Sequence, residues 1–281
     1  MSRILVTGAS GFIGKHLIPK LRNAGHEVFE VSRNDGDIAI EETWEKLPQN
    51  DIVIHLAAKS FVPASWQDPN KYINCNVLGT VAALNYCRKF NAGLIFLSSY
   101  LYGNPASLPI PENAPLKDAN PYALSKHLAE DVCQFYSRNF NIDITIFRPF
   151  NIYGPHQPEE FLIPSIMRQI RNKEIIKVKD LEPKRDYIYI DDIVTAIVAA
   201  VSKHKGLQIY NLGSGISYSV KELIRIMQDV MGSDLDTFSE ELRRKDEIMN
   251  TVADISLAKK ELGWIPKWQL AAGLKEIKKK H

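Results

Sequence analysis

The run Thr7-Gly8-Ala9-Ser10-Gly11-Phe12-Ile13-Gly14 constrains this chain more than any other feature. It follows directly on the apolar stretch Ile4–Thr7 and leads directly into a helical pattern over Ile13–Asn23. Glycines spaced G-x-x-G-x-x-G at a strand-to-helix junction allow a tight turn. They also let the backbone approach a pyrophosphate and the helix pack close to the strand. The free N–H groups and partial positive charge at the helix start then face the phosphates. Glycine triplets also occur in plain turns. The strand before and the helix after favour the dinucleotide reading, which assigns cofactor contacts to Gly8, Ser10, Gly11, Phe12, Ile13 and Gly14.

The rest of the chain fits that start. Short β-rich runs at Ile4–Thr7, Val28–Val31, Ile52–Leu56, Leu94–Ser98, Asp143–Arg148 and Gln208–Asn211 are apolar on both faces, as a buried parallel sheet requires. Helical patterns over Ile13–Asn23, Asn70–Phe90, Pro121–Phe140 and Asp192–Lys203 alternate with them. Gly25 stands just past the first helix, where a left-handed residue is expected. The expected fold is α/β, a Rossmann doubly wound parallel sheet built from right-handed βαβ units, with a smaller mixed α/β C-terminal portion for the substrate. After Arg148 the alternation breaks, punctuated by Pro149, Pro155, Pro158, Pro164 and Pro183. The expected division is therefore 1–149 plus 186–211 for the dinucleotide and 150–185 plus 212–281 for the substrate. The chain's 281 residues suffice for a core domain plus a smaller one.

Composition excludes several classes. The net charge is +2, without the basic face of a nucleic-acid binder, and Lys278-Lys279-Lys280 reads as a solvated helix end. The cysteines Cys75, Cys87 and Cys133 are odd in number and form no C-x-x-C pair. A reducing, cytoplasmic setting is expected. The histidines are scattered, so no metal site is expected. The chain opens straight into a strand pattern, so no leader is expected. Ala196–Val201 falls far short of the roughly 20 apolar residues of a membrane span.

The second strand ends in Ser32-Arg33-Asn34. An NAD site places an acid there against the ribose 2′-hydroxyl, whereas an NADP site has arginine nearby for the 2′-phosphate. Arg33 therefore favours NADP (NADPH), with NAD the alternative, since Asp35 or Asp37 could reach the adenosine.

Asn120-Pro121-Tyr122-Ala123-Leu124-Ser125-Lys126 reads as a helix start, Asn120 capping and Pro121 in the first turn. Tyr122 and Lys126, four apart, share a face. Leu124, Leu128, Val132 and Phe135 are expected to mark the buried side. A tyrosine serves as acid or base near neutrality when its pKa falls. An ammonium roughly 5 Å away at an effective dielectric near 20 contributes about 3 kcal/mol towards that. Ser98, at the tip of the fourth strand, would face the same crevice.

Further motifs surround this pair: His55-Leu56-Ala57-Ala58, Asn76-Val77-x-Gly79-Thr80, Ser98-Ser99-x-x-Tyr102-Gly103, Arg148-Pro149-x-Asn151-x-Tyr153-Gly154-Pro155, Arg185-Asp186-Tyr187-Ile188-x-x-x-Asp192, Asn211-x-Gly213-Ser214-Gly215 and Leu262-Gly263-Trp264-x-Pro266. Together with the glycine loop and Tyr122/Lys126, they make the chain resemble the extended short-chain dehydrogenases/reductases, the NAD-dependent epimerase/dehydratase family, over essentially its whole length. The resemblance implies that Ser98, with Ser99 as the fallback, is the catalytic hydroxyl. It implies that Tyr122 is the proton donor or acceptor, and that Lys126 also holds the nicotinamide ribose. Asp37, Ile38, Leu56, Ala57, Ala58, Lys59, Asn76 and Pro149 would join Ser32 and Arg33 in lining the cofactor. Ser98, Ser99, Tyr100, Tyr122, Asn151, Phe161 and Leu162 would face a nucleotide diphosphate sugar. Arg185, with Arg243 or Arg244, would neutralise its diphosphate. His156 is expected to be a loop residue. By the same analogy the enzyme is a homodimer built on the Tyr/Lys helix.

Such relatives act at C4 of nucleotide-activated sugars. A 4,6-dehydratase has Asp-Glu after the catalytic hydroxyl, where this chain has Ser99-Tyr100. An epimerase-reductase of the fucose-synthase type has cysteine where this chain has Tyr100. Two readings remain: an NADPH-consuming 4-keto-6-deoxyhexose reductase, favoured by Ser32-Arg33, and a 4-epimerase recycling NAD. A non-catalytic dinucleotide sensor is a third class, disfavoured because Ser98, Tyr122 and Lys126 are all present.

Overall fold

A computed structural model describes residues 1–242 and 247–279 of the chain. The first half runs β1 (Arg3–Thr7), α1 (Phe12–Asn23), β2 (Glu27–Val31), α2 (Glu41–Glu45), β3 (Ile52–His55), α3 (Val62–Gln67), α4 (Pro69–Tyr72), a π-helical segment (Ile73–Leu78), α5 (Gly79–Phe90), β4 (Gly93–Leu97), α6 (Pro121–Phe140) and β5 (Ile144–Pro149). The second half runs β6 (Asn151–Tyr153), α7 (Leu162–Arg171), β7 (Ile176–Val178), β8 (Lys184–Tyr189), α8 (Ile190–Val201), β9 (Leu207–Leu212), β10 (Ser217–Ser219), α9 (Val220–Met231), β11 (Thr237–Ser239), α10 (Ser256–Leu262) and α11 (Leu270–Lys279).

The central sheet has six parallel strands in the order β2-β1-β3-β4-β5-β9. The strand order reverses between β1 and β3, and ligands of doubly wound sheets bind outside the carboxyl ends at that point. Alternation along a strand places Ile4 and Val6 in one core layer and Leu5 in the other. Helix α6 covers the Leu5 side through Ala129 and Cys133. On the other side the core is continuous from Ile4 and Leu17 through Tyr153, Met167 and Ile190 to Trp264 and Leu274. The smaller sheets, β10-β8-β6 and β11-β7, come from residues beyond 150.

The tail is fastened by Asp192 at the start of α8. Its carboxylate accepts the N–H of Lys267 at 2.9 Å and of Trp268 at 3.0 Å, and its carbonyl accepts Trp264 Nε1 at 2.9 Å. Among the described residues no helix is long and apolar enough to cross a membrane.

Two expectations are corrected. The stretch Asn70–Phe90 is not one α-helix, because the wider π-helical turn separates α4 from α5. The apolar stripe of α6 faces outward: Leu124, Leu128 and Phe135 are 39%, 38% and 56% exposed, and Val132 is partly exposed. The side turned to the sheet carries Ala123, Ser125, Lys126, Ala129, Glu130, Cys133 and Ser137. Gly25 has the expected left-handed backbone, with φ of 84°.

Candidate active site

The glycine loop folds as its spacing requires. Gly8 has φ of 69°, and a Cβ there would lie 2.8 Å from the Ala57 nitrogen. A Cβ at Gly14 would lie 2.4 Å from the Ala9 carbonyl oxygen. The loops leaving β1 and β3 thus meet backbone to backbone, and Ala57 N–H donates to Thr7 Oγ1 at 3.2 Å. Gly11 is the first residue before α1, followed by Phe12 and Ile13 in its opening turn, with Ser10 exposed beside them. This cradle, open to backbone and closed to side chains, fits a dinucleotide pyrophosphate. Beneath it His55, 2.8 Å from Thr7 Oγ1, is buried, and burial pulls its pKa down to about 3, so the ring is neutral.

At the end of β2, Asp35 is turned back on the chain, accepting from the Ser32 N–H at 2.8 Å and the Ser32 hydroxyl at 3.0 Å. Arg33 is exposed and has no ion-pair or hydrogen-bond partner among the described residues. Asp37 Oδ1 accepts from Ala39 N–H at 3.0 Å, and the buried Ile38 is pinned through its carbonyl to Trp44 Nε1 at 2.8 Å. Leu56, Ala57, Ala58 and Lys59 continue from β3 past Gly8. Asn76 holds them from the π-helical segment: its Oδ1 accepts Lys59 N–H at 2.8 Å, and its Nδ2 donates to Lys59 O at 3.0 Å and Ser125 Oγ at 2.8 Å. Its amide therefore orders the loop, rather than standing free for a ligand.

Asn120 caps α6 by accepting Ala123 N–H at 2.9 Å, and Pro121 occupies the first turn. Lys126 is 2% exposed, donates to the Leu97 carbonyl at 2.6 Å, and stands 4.2 Å from the centre of the Phe96 ring. Burial pulls its ammonium down to about 8, and the carboxylate of Glu130 opposes that fall. Tyr122 shares the face and packs edge-on to Tyr72 at 6.4 Å, with Ser99 beside it. The expected lowering of the phenol is corrected here. Burial pushes Tyr122 up to about 12, with Ser99 opposing, because Lys126 is directed at Leu97. Ser98 is buried with no partner for its Oγ among the described residues, so the neighbour of Tyr122 in this arrangement is Ser99.

The substrate side is tightly cross-linked. The Tyr100 hydroxyl donates to Asn151 Oδ1 at 3.2 Å, and its ring stacks on Phe150 at 4.9 Å. Asn151 Nδ2 donates to the Asp186 carbonyl at 3.0 Å, so both ends of that amide are engaged. Pro149 O accepts Tyr100 N–H at 3.2 Å. Phe161 precedes α7, which begins at Leu162, and its ring meets Phe61 edge-on at 6.0 Å. The buried Asp186 carboxylate accepts from Ser214 N–H and hydroxyl at 2.7 Å each, Gly215 N–H at 3.0 Å and Ala253 N–H at 3.1 Å, which explains the R-D-Y and N-x-G-S-G motifs as one tie. Arg185 pairs with Glu247 and donates to the Ile248 carbonyl at 2.6 Å. Arg243 and Arg244 lie outside the described residues. His156 is in the loop before α7, with φ of 66°.

Sequence reasoning passed over Phe61, Tyr72, Glu130 and Glu247. For Glu130 a signal existed, since it stands four residues after Lys126 on the same helix. No pattern marks Phe61 or Glu247.

Comparison with known proteins agrees with this fold. The chain is 31% identical over 293 residues to the GDP-6-deoxy-D-mannose reductase of Pseudomonas aeruginosa, covering 98% of this chain and 95% of that protein. It is 30% identical over 305 residues to a UDP-glucose 4-epimerase of Lactobacillus helveticus, covering 94% and 92%. The structure of RMD from Pseudomonas aeruginosa complexed with NADPH superposes with a TM-score of 0.91 at 30% identity, covering 99% of this chain and 97% of that one. The model of the NAD dependent epimerase/dehydratase family matches residues 4–213, from β1 through β9 and just beyond, and the chain belongs to that family.

Proposed function

We propose that the protein is an NADPH-dependent reductase of a nucleotide 4-keto-6-deoxyhexose. The observation that carries the choice of cofactor is at the end of β2: Arg33 is exposed and unpaired among the described residues, while Asp35 is bound to Ser32. A guanidinium there pairs with a 2′-phosphate that an acid would repel. The GDP-6-deoxy-D-mannose reductase among the relatives, and the NADPH bound to RMD, support the reading.

The glycine cradle and the α1 N-terminus hold the pyrophosphate, with Asp37 and Ile38 on the adenosine side. NADPH, when bound, supplies a hydride to the sugar's C4. Tyr122, kept protonated by burial, gives its phenolic proton to the C4 oxygen, and a serine hydroxyl, Ser98 or Ser99, donates a hydrogen bond to the same oxygen. Lys126, once its ammonium turns from the Leu97 carbonyl, stabilises the resulting phenolate until solvent returns the proton. Arg185, joined by Arg243 or Arg244, neutralises the diphosphate, while Tyr100, Asn151, Phe161 and Leu162 wall the sugar. In this reading residues 1–149 plus 186–211 serve the cofactor and 150–185 plus 212–281 the substrate. The enzyme works as a homodimer through the outward apolar face of α6, in the cytoplasm, where Cys75, Cys87 and Cys133 remain free thiols.

The second reading is a 4-epimerase with tightly held NAD, favoured by full-length likeness to UDP-glucose 4-epimerases at similar identity. Mixing purified enzyme with NADPH and a nucleotide 4-keto-6-deoxyhexose decides between them. Stoichiometric loss of the reduced-nicotinamide absorbance is expected. The Tyr122→Phe variant should lose about 10²- to 10⁴-fold in kcat with NADPH affinity nearly unchanged. Interconversion of C4 isomers without added NADPH would replace the reductase with the epimerase.

A further inference from the structure

Helix α6 carries three ionisable side chains at four-residue steps, Tyr122, Lys126 and Glu130, on the face it turns to the sheet. Glu130 is 0% exposed. A buried carboxylate is tolerated when it is paired with good geometry. Glu130 meets that condition through Arg148 of β5, whose Nε lies 3.1 Å from both carboxylate oxygens and whose Nη2 lies 2.6 Å from Oε2. Arg148 is fixed in turn by the Tyr102 hydroxyl at 3.0 Å and the Glu112 carbonyl at 2.8 Å. Tyr102 donates to Asn211 of β9 at 2.6 Å, so the carboxylate is anchored to two neighbouring strands of the central sheet.

We infer that Glu130, clamped by Arg148, is a positioning residue for the catalytic lysine, its fixed buried carboxylate keeping Lys126 charged while Tyr122 works; this rests on the reading of Tyr122 and Lys126 as the catalytic pair. The surroundings of Lys126 favour that role for Glu130. Besides the Leu97 carbonyl and the Phe96 ring, the ionisable groups acting on it or acted on by it are Cys133 and Glu130 from α6, Cys75 from the π-helical segment and His55 from β3. Burial raises both thiols and keeps the imidazole neutral. That leaves Glu130 as the acidic side chain that opposes the burial acting on the ammonium.

Without the carboxylate, Lys126 loses its proton at lower pH. An opposite charge close by typically moves a pKa by one to three units, so a fall of about one unit is expected in Glu130→Gln. Two readouts separate this inference from the reductase reading. In the first, the protein carries isotopically labelled lysine, and the Lys126 side-chain resonance, assigned by its loss in Lys126→Arg, is titrated by NMR without any substrate. Its midpoint should fall in Glu130→Gln and return in Glu130→Asp. In the second, the alkaline limb of kcat for NADPH oxidation should move down by the same amount, with KM for NADPH little changed. Should Glu130→Gln not fold, the double variant Glu130→Gln/Arg148→Gln, which does not leave the Arg148 guanidinium buried without its partner, is titrated instead and its midpoint should also fall. An unchanged Lys126 midpoint in either folded variant would overturn the inference. A shifted midpoint in a protein that reduces no 4-keto sugar would uphold Glu130 and sink the reductase.

Discussion

Arg33 and Arg185 are both arginines proposed to meet a ligand phosphate, yet their surroundings differ. Arg33 stands in solvent at the end of β2, so a phosphate reaching it displaces only water. Replacing it by aspartate puts a repelling charge where the 2′-phosphate is expected. A charge-assisted hydrogen bond is worth about 1.5–3 kcal/mol, so Arg33→Asp should weaken NADPH by about 30-fold relative to NADH in fluorescence titrations. Equal effects on both cofactors would make Arg33 a plain surface residue. Arg185, in contrast, already holds the carboxylate of Glu247. A diphosphate has to compete with that carboxylate for the same guanidinium. The R-D-Y motif marked Arg185, but no motif marked its partner, because an ion pair between residues 62 positions apart depends on how β8 meets the segment before residue 250.

At the scale of elements, α6 shows what periodicity can and cannot say. Its length, cap and amphipathic stripe were legible, because Asn120-Pro121 and the i, i+4 spacing act within a few residues. Which side of the helix faces the sheet was not. Burial of an apolar stripe is the usual outcome, and here the sheet instead receives small residues and the Lys126–Glu130 charges, which are paid for by Arg148 and the Leu97 carbonyl. Leu124, Leu128 and Phe135 are left outward, and a second copy of α6 is the proposed cover. Leu128→Glu combined with Phe135→Glu should convert dimer to monomer in sedimentation velocity, while far-ultraviolet circular dichroism stays unchanged. A wild-type monomer would refute that interface. The π-helical turn at Ile73–Leu78 was equally invisible in the sequence, since one extra residue in a turn barely disturbs a hydrophobic pattern. The sheet strands were easy, because each is a short two-sided apolar run between turns.

For the whole molecule, the late part of the chain completes a core begun at residue 4. Trp264, Leu270 and Leu274 join the same layer as Ile4 and Leu17, and Asp192 holds the approach to them through the N–H groups of Lys267 and Trp268. Asp192→Ala leaves those donors without their acceptor. It should destabilise the protein by about 3 kcal/mol in urea unfolding, with Asp192→Asn intermediate because one acceptor oxygen remains. A change under about 0.5 kcal/mol would mean that the tail docks without it.

Strand β9, from residues 207–212, lies beside β5 in the central sheet, although the intervening chain has left to build β6, α7, β7 and β8. No single cut therefore separates the portion proposed to hold the dinucleotide from the portion proposed to face the sugar. A protein ending at residue 149 would expose the β5 edge that Ile144–Pro149 now offers to β9 along six paired residues. Hybrid enzymes that exchange the proposed substrate portion between relatives thus require three crossover points, near residues 149, 185 and 211. The graft must also bring its own tail to dock at residue 192.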